Sequence, residues 1–265
     1  MLLTISHTTV YTYDAPVSYA LQRLRLRPLS NRQQKVLSWD LDIEGGQRQV
    51  SYIDHYGNQT DLVSMDDGSD QLKITARGKV ETTDTVGVLG FVPSPVPMWH
   101  YRQQTALTEP GAAIRALAEE IDTSGGPLAA MHALSERIAG QVAYEPGTTY
   151  AATPAEDALT GGKGVCQDHA QIFISAARAA GVPARYVSGY LMLDDRIEQE
   201  AGHAWAEAWL PDLGWVGFDV SNGYCPDDRY VRVASGLDYR QAAPAAGMRQ
   251  GFGNETMIVS LQVQQ

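Results

Sequence analysis

From residue 1 to about Phe91, apolar and polar residues alternate with a period of two in short runs, which predicts strands with one face buried. The runs are Thr4–Tyr13, Leu21–Leu29, Val36–Ile43, Arg48–Asp54, Gln59–Met65 and Leu72–Thr82. Turn residues separate them at Asp14-Ala15-Pro16, Glu44-Gly45-Gly46, Tyr56-Gly57-Asn58 and Asp66-Asp67-Gly68. A series of strands with no helical run between them predicts an all-β module, a sandwich.

The pattern changes at Pro93-Ser94-Pro95-Val96-Pro97, which continues neither a central strand nor a helix. We expect a division there, with an N-terminal β-sandwich over 1–97 and a second unit over 98–265. Alanine-rich helical spacing follows at about Pro110–Ile121 and Pro127–Val142, and the second run puts Leu128, Met131, Leu134, Ile138 and Val142 on one face. A short helix is expected over Thr153–Leu159, with Thr153 as cap and Pro154 at N1. An apolar helix over Gln167–Ala180 is closed by Gly181 and Pro183. Strands are predicted at Ala184–Leu193, His203–Leu210 and Trp215–Val220, the last two joined by Pro211-Asp212-Leu213-Gly214. The segment Gln241–Gly247 reads as a loop, and Met257–Val263 as a final sheet strand. The fold class is therefore α+β.

Charge and composition narrow the function. The 265 residues include 20 Lys and Arg against 31 Asp and Glu, a net charge of −11 that argues against neutralising nucleic-acid phosphates. No apolar run reaches the roughly 18 residues of a membrane span, so no membrane contact is expected. The start lacks the basic and apolar regions of a secretory leader, and the expected location is cytoplasmic. Cys166 and Cys225 are too few for a disulfide framework, so at least one thiol is expected free; a disulfide joining the two would cancel thiol chemistry at Cys166.

Cys166 stands between Gly161-Gly162-Lys163-Gly164-Val165 and the start of the apolar helix. Unpaired backbone N–H groups and the positive end of the helix dipole favour a thiolate there, and the same groups can hold an oxyanion formed when sulfur attacks a carbonyl. The three glycines leave room beside the sulfur for another molecule's backbone. The plain alternative is a buried structural cysteine. A thiolate needs an imidazole, and of the six histidines only His203 opens a strand in the same module, after Ala201-Gly202. Asp219 lies 16 positions on, across a hairpin. If the turn sets Trp205 opposite Asp219, then His203 and Asp219 share a face as diagonal neighbours about 7 Å apart. A one-residue slip puts them on opposite faces. A metal site from Cys166, His169 and His203 is the rival arrangement, but no second thiol stands at ligand spacing. Asp168 fits the first helical turn, and Trp205, Trp209 and Trp215 fit core packing. The acidic run Asp194–Glu200 is a solvated hairpin tip, or at a cleft mouth a preference for a cationic substrate.

These segments resemble the bacterial transglutaminase-like superfamily, a family read as cysteine proteases. The resemblance is carried by Gly164-Val165-Cys166-Gln167-Asp168-His169-Ala170, by Gly181–Tyr190, by His203-Ala204-Trp205-Ala206-Glu207 and by Trp215-Val216-Gly217-Phe218-Asp219. At the front, His7–Tyr13, Leu24–Pro28 and Asp54-His55-Tyr56-Gly57-Asn58 are similar to the β-rich domain that accompanies this core. The resemblance implies a papain-like core of helices on an antiparallel sheet, with Cys166 as nucleophile, His203 as base and Asp219 as orienting acid. Two positions depart from the family pattern: Val220-Ser221-Asn222 stands for Pro-Thr-Asn, and Leu237 replaces the arginine of Gly-Arg-Asp-Tyr. Tyr144 lies upstream where an oxyanion-hole side chain fits.

The function expected is acyl transfer at an amide through a Cys166 thioester, ending in hydrolysis of a peptide or isopeptide bond. Transfer to an amine, as in a transglutaminase proper, is the other fate of the same intermediate. A non-catalytic peptide-binding module on the same fold is the alternative from another class. No metal or organic cofactor is expected, and no calcium loop is recognisable. The expected partners are a peptide or protein substrate and other proteins of peptide turnover.

Overall fold

The computed structural model describes residues 1–15, 19–250 and 254–265, so Pro16 of the first expected turn lies outside them. In chain order the front half holds β1 (Leu2–Tyr13), β2 (Tyr19–Arg27), β3 (Gln34–Glu44), β4 (Gly46–Ile53), β5 (Gln59–Met65), β6 (Gln71–Thr82) and β7 (Val88–Gly90). Then follow α1 (Ala112–Glu119), α2 (Pro127–Gln141), β8 (Ala143–Tyr144), α3 (Ala155–Gly161), β9 (Lys163–Gly164) and α4 (Cys166–Ala179). The remainder is β10 (Ala184–Leu191), β11 (Glu198–Gln199), β12 (His203–Leu210), β13 (Gly214–Phe218), β14 (Tyr230–Gly236), α5 (Tyr239–Ala242), β15 (Ala245–Gln250) and β16 (Glu255–Gln264). No helix among the described residues is long and apolar enough to cross a membrane.

The alternation in the front half does produce a sandwich. One sheet runs β11-β16-β1-β6-β3 and the other β15-β2-β5-β4, and both are antiparallel throughout. Along β1 every second residue from Leu3 to Tyr13 is buried, the period-two signature of a half-buried strand. Between the sheets Tyr11, Leu24, Val63, Leu72 and Ile74 form a core, each large side chain contributing about 1.5–3 kcal/mol by leaving water. The turns fall at Gly45, Gly57 and Gly68, all with φ between 73° and 84°, where only glycine is unstrained.

A third sheet, β14-β10-β12-β13-β7, is the floor of the second unit. Helix α4 lies on it and is buried on all sides from Asp168 to Arg178, so its polar members Asp168, His169, Ser175 and Arg178 are held by hydrogen bonds rather than by solvent. Phe173 stacks on Phe218 of β13 with ring centroids 5.1 Å apart. Helix α1 begins at Ala112 rather than Pro110, because the Glu156 carboxylate of α3 caps it, accepting from Ala113 N at 2.8 Å and Ile114 N at 3.0 Å. Gly111 permits this, since a Cβ there would lie 2.3 Å from the Glu156 carboxyl carbon.

Several elements depart from the pattern read along the sequence. Thr153 does not cap α3; Pro154 is the N-cap, and the Thr153 hydroxyl instead accepts from Tyr150 N at 2.9 Å. The expected loop Gln241–Gly247 becomes a helical turn followed by β15, whose weak strand formers are held by pairing with β2, Met248 opposite Leu21. Strands β7 and β14 carry no legible alternation because both faces of each are largely covered. The chain also crosses between its two units more than once, where the proline run suggests a single crossing. Val88–Gly90 pairs with β13 of the third sheet, and the last two strands return to the sandwich, β15 against β2 and β16 against β1. Leu3, Ile5, Val80, Leu261 and Val263 of the sandwich then pack on Tyr190, Val231 and Val233 of the third sheet.

Candidate active site

Cys166 is the first residue of α4, with the extended Val165 before it, so its backbone N–H belongs to the unpaired first turn. The approach is built by β8 and β9, a parallel pair that sets Tyr144 opposite Gly164. Asp168 closes this end of the helix: its Oδ2 accepts from Val165 N at 2.8 Å and from the Thr149 hydroxyl at 2.7 Å. The carboxylate thus faces back along the loop, and a Cβ on Gly164 would meet it at 2.7 Å, so the loop tolerates only glycine there. Both Cys166 and Cys225 are free thiols, and Cys166 is partly exposed.

His203 opens β12, and β12 pairs with β13 from Leu210↔Gly214 to Ala206↔Phe218. Continued by one residue, this register sets Trp205 opposite Asp219, the arrangement that brings His203 and Asp219 to one face. The structure shows them joined, His203 Nε2 to Asp219 Oδ2 at 2.5 Å. Cys166 lies close enough to the same ring for its charge to act on it. Burial alone would lower the His203 pKa, but the hydrogen bonds and charges of Asp219 and Cys166 push it up to about 10. Asp219 is 1% exposed, and its burial is outweighed by His203, Tyr230 and Asn222, which hold it below the ordinary carboxylate value. Of the three side chains singled out in the sequence, His203 and Asp219 are joined directly, and Cys166 stands near enough to act on the His203 ring, whose raised pKa favours the imidazolium.

Two partners of Asp219 had not been singled out. Tyr230 donates its hydroxyl to Oδ2 at 2.7 Å, and Asn222 donates its amide to the same oxygen at 2.7 Å and its backbone N–H to Oδ1 at 3.3 Å. Asn222 carried a local signal, an amide three residues after the acid in a turn. Tyr230 carried none, being 11 residues away on another strand.

His169 does not join the sulfur. Its Nε2 donates to Val142 O at 3.0 Å and its Nδ1 accepts from the Ser221 hydroxyl at 2.8 Å, so both nitrogens are occupied in tying α4 to the loops beneath it. Among the described residues no group of three His, Cys, Asp or Glu side chains is placed to hold a metal ion. Half-exposed Tyr144 stands close enough to feel the charges of Cys166 and Asp219, which together with burial raise its pKa. Leu237, standing where the family pattern has an arginine, packs in a buried cluster with Leu89, Tyr101 and Trp215, and its backbone carbonyl accepts from buried Arg178 at 2.7 Å. Trp215 is fully buried, and Trp205 packs at right angles to Tyr230, 5.4 Å between centroids, behind the His203 ring.

Two parts of the chain match known protein families. Residues 115–220 match the model of the transglutaminase-like superfamily, and residues 3–81 match that of the bacterial transglutaminase-like N-terminal region. An uncharacterized protein of Mycobacterium leprae is 28% identical over 277 residues, covering 98% of this chain and 97% of that one. A protein-glutamine gamma-glutamyltransferase of Pseudomonas aeruginosa is 31% identical over 135 residues, which are 47% of this chain and 20% of that enzyme. Among solved structures, a candidate cysteine protease of Cytophaga hutchinsonii shares the fold, with a TM-score of 0.80 at 21% identity over 100% of this chain and 90% of that one.

Proposed function

We propose that this chain, with its transglutaminase-like core behind a bacterial transglutaminase-like N-terminal region, performs acyl transfer at an amide bond through a thioester on Cys166. The observation that carries the reading is the His203 ring bonded to the buried Asp219, with Cys166 at the start of α4 close enough to act on that ring.

In this scheme Cys166 Sγ attacks the carbonyl carbon of a peptide or protein substrate as a thiolate, and the carbonyl π pair moves to oxygen. The Cys166 backbone N–H, with the first-turn groups beside it, faces that oxyanion, and Tyr144 stands at the same rim. His203, protonated at the outset, gives its proton to the leaving amine as the C–N bond breaks. The thioester remains on Cys166. Asp219 keeps the ring oriented and the imidazolium stable through this step, without itself taking the proton. Water then attacks the thioester as His203 takes one of its protons, the C–S bond breaks to restore the Cys166 thiolate, and the carboxylic acid product leaves and gives its proton to solvent.

Water reaches a partly exposed thioester without a dedicated acceptor site, so hydrolysis of a peptide or isopeptide bond is the outcome this geometry favours. The glutamyl-transferring Pseudomonas relative favours the second reading, in which a lysine amine replaces water at the same thioester. Incubation with glutamine- and lysine-containing peptides and mass spectrometry of the products tests both. Chain cleavage supports hydrolysis; ammonia release with a new cross-link supports amine transfer. Neither product, with active controls, rejects the proposal.

A further inference from the structure

Strand β14 lies at the edge of the third sheet, paired on one side with β10. A bulge opposite Ser188 and Gly189 lets Arg232 and Ser235, three residues apart, both turn backbone groups outward on the unpaired side. No strand covers them. Two side-chain amides of the sandwich do, each offering the strand one N–H donor and one carbonyl acceptor as a backbone peptide would. Gln34 donates Nε2 to Arg232 O at 2.8 Å and accepts from Arg232 N at 2.8 Å. Asn58 donates Nδ2 to Ser235 O at 2.8 Å and accepts from Ser235 N at 2.8 Å. The two amides are 3% and 2% exposed, so the bonds are shielded from competing water. The sandwich holds them firmly in turn: Gln34 also donates to Leu29 O, and Asn58 both donates its amide to Asp54 Oδ2 and places its N–H on Asp54 Oδ1. Asp54 is itself fixed by Arg25 at 3.0 Å. The Asp54–Asn58 segment is therefore a built clamp whose jaw closes on β14.

Strand β14 begins with Tyr230, the donor to Asp219. Just before it, the Thr82 hydroxyl at the end of β6 donates to Asp228 O. The sandwich thus touches the strand on both sides of the residue that meets the catalytic carboxylate.

We infer that the N-terminal sandwich is a brace for the active site: Gln34 and Asn58 fix the edge of β14, and β14 delivers the Tyr230 hydroxyl that holds Asp219 against His203. This rests on the reading of Cys166, His203 and Asp219 as the reacting set. Tyr230, Gln34 and Asn58 are positioning residues, since none reaches the sulfur. A buried carboxylate with three donors on one oxygen cannot swing, and a ring bonded to it keeps its other nitrogen aimed at the thiol. The groups that face this pair from the surrounding elements are Cys166, Tyr144 and His169, and Tyr224 packs on the Tyr230 ring.

The test is iodoacetamide labelling of Cys166 in the full chain between pH 5 and 8, followed by peptide mass spectrometry alongside melting temperature. Tyr230→Phe keeps the ring and removes the hydroxyl; it should slow labelling at pH 6 about tenfold and move the rise of the rate upward by about one pH unit. Gln34→Met, close in shape but without the amide, should shift the profile in the same direction, and Gln34→Met with Tyr230→Phe should be no slower than Tyr230→Phe alone, because both act through one hydroxyl. Asn58→Ser tests the other amide if Gln34→Met does not fold. Lowered melting temperatures with an unmoved labelling profile would overturn the inference, as would effects that multiply in the double variant. His203→Ala separates the two claims. If it labels as fast as the unaltered chain, the catalytic reading falls; if it is slow while Tyr230→Phe is normal, only the brace falls.

Discussion

Replacing Glu207 by Gln removes one negative charge from the centre of the third sheet. Glu207 lies on β12 four residues beyond His203 and is 2% exposed. Its two oxygens accept from Arg185 Nε on β10 at 2.5 Å and from Arg232 Nε on β14 at 3.0 Å, so one carboxylate ties β10, β12 and β14 together. Arg185 is 3% exposed, lies over Trp215 with its guanidinium carbon 3.9 Å from the ring centroid, and already has one NH2 group without a partner. With the charge gone, two guanidiniums face each other across a neutral amide. Removing one partner from a buried ionic cluster costs about 3–5 kcal/mol, mostly the penalty of the charges left behind. For a chain of this size, each kcal/mol moves the melting temperature by about 2–4 °C, so Glu207→Gln should melt about 6–20 °C lower. The two arginines hold Glu207 below its ordinary value against its burial, so the stability it supplies is present above about pH 4.5 and lost on acidification. Thermal melts carried from pH 7 down to about pH 2.5 should therefore show the gap between the variant and the unaltered chain constant down to about pH 4.5 and narrowing only below it. A shift under about 2 °C at pH 7, near 1 kcal/mol or less, would refute the reasoning that this cluster depends on its one negative charge.

His7 supplies a second pH dependence of different origin. It is 4% exposed at the face where the sandwich meets β10, bonded to the Tyr190 hydroxyl at 3.0 Å and Thr9 at 3.3 Å, and burial drops its pKa from 6.5 to about 4. The unfolded chain then binds the proton more readily, so stability is full above pH 6.5 and falls below it, by about 3 kcal/mol at pH 4. Urea midpoints should show this slope, and His7→Asn should remove it; a slope retained in His7→Asn would assign the loss to other groups. Cys166→Ala should abolish turnover of any peptide that the chain processes while leaving the melting temperature nearly unchanged, because the thiol is partly exposed and only borders the core, and the change to Ala removes a single sulfur atom. Turnover surviving Cys166→Ala would rule out the thioester.

The parts of the fold legible in the sequence are those whose pattern is local. Period-two runs in 1–82 mark the sandwich strands, and Gly181 with Pro183 marks the end of α4. The pairing of His203 with Asp219 was legible because a hairpin fixes register, and register fixes the face. What remained hidden depends on distant partners. Val88–Gly90 becomes a strand only because β13 offers an edge, and Ala245–Gln250 only because β2 does. Tyr230 reaches Asp219 through β14, a strand covered on both faces and so without alternation. Gln34 and Asn58 look like ordinary polar residues near turns, and their role exists only once residues about 200 and 180 positions away are brought against them.

The central claim is that His203 and Asp219 make the Cys166 sulfur reactive. The most direct measurement is the rate of iodoacetamide labelling at pH 6 for Cys166 and Cys225 in the unaltered chain and in His203→Ala. Burial pushes the Cys225 thiol up to about 11, so Cys225 is an internal reference that should stay nearly unlabelled. The account predicts fast, selective labelling of Cys166 that His203→Ala slows at least tenfold. Labelling of Cys166 no faster than Cys225, or unchanged by the loss of His203, would contradict it.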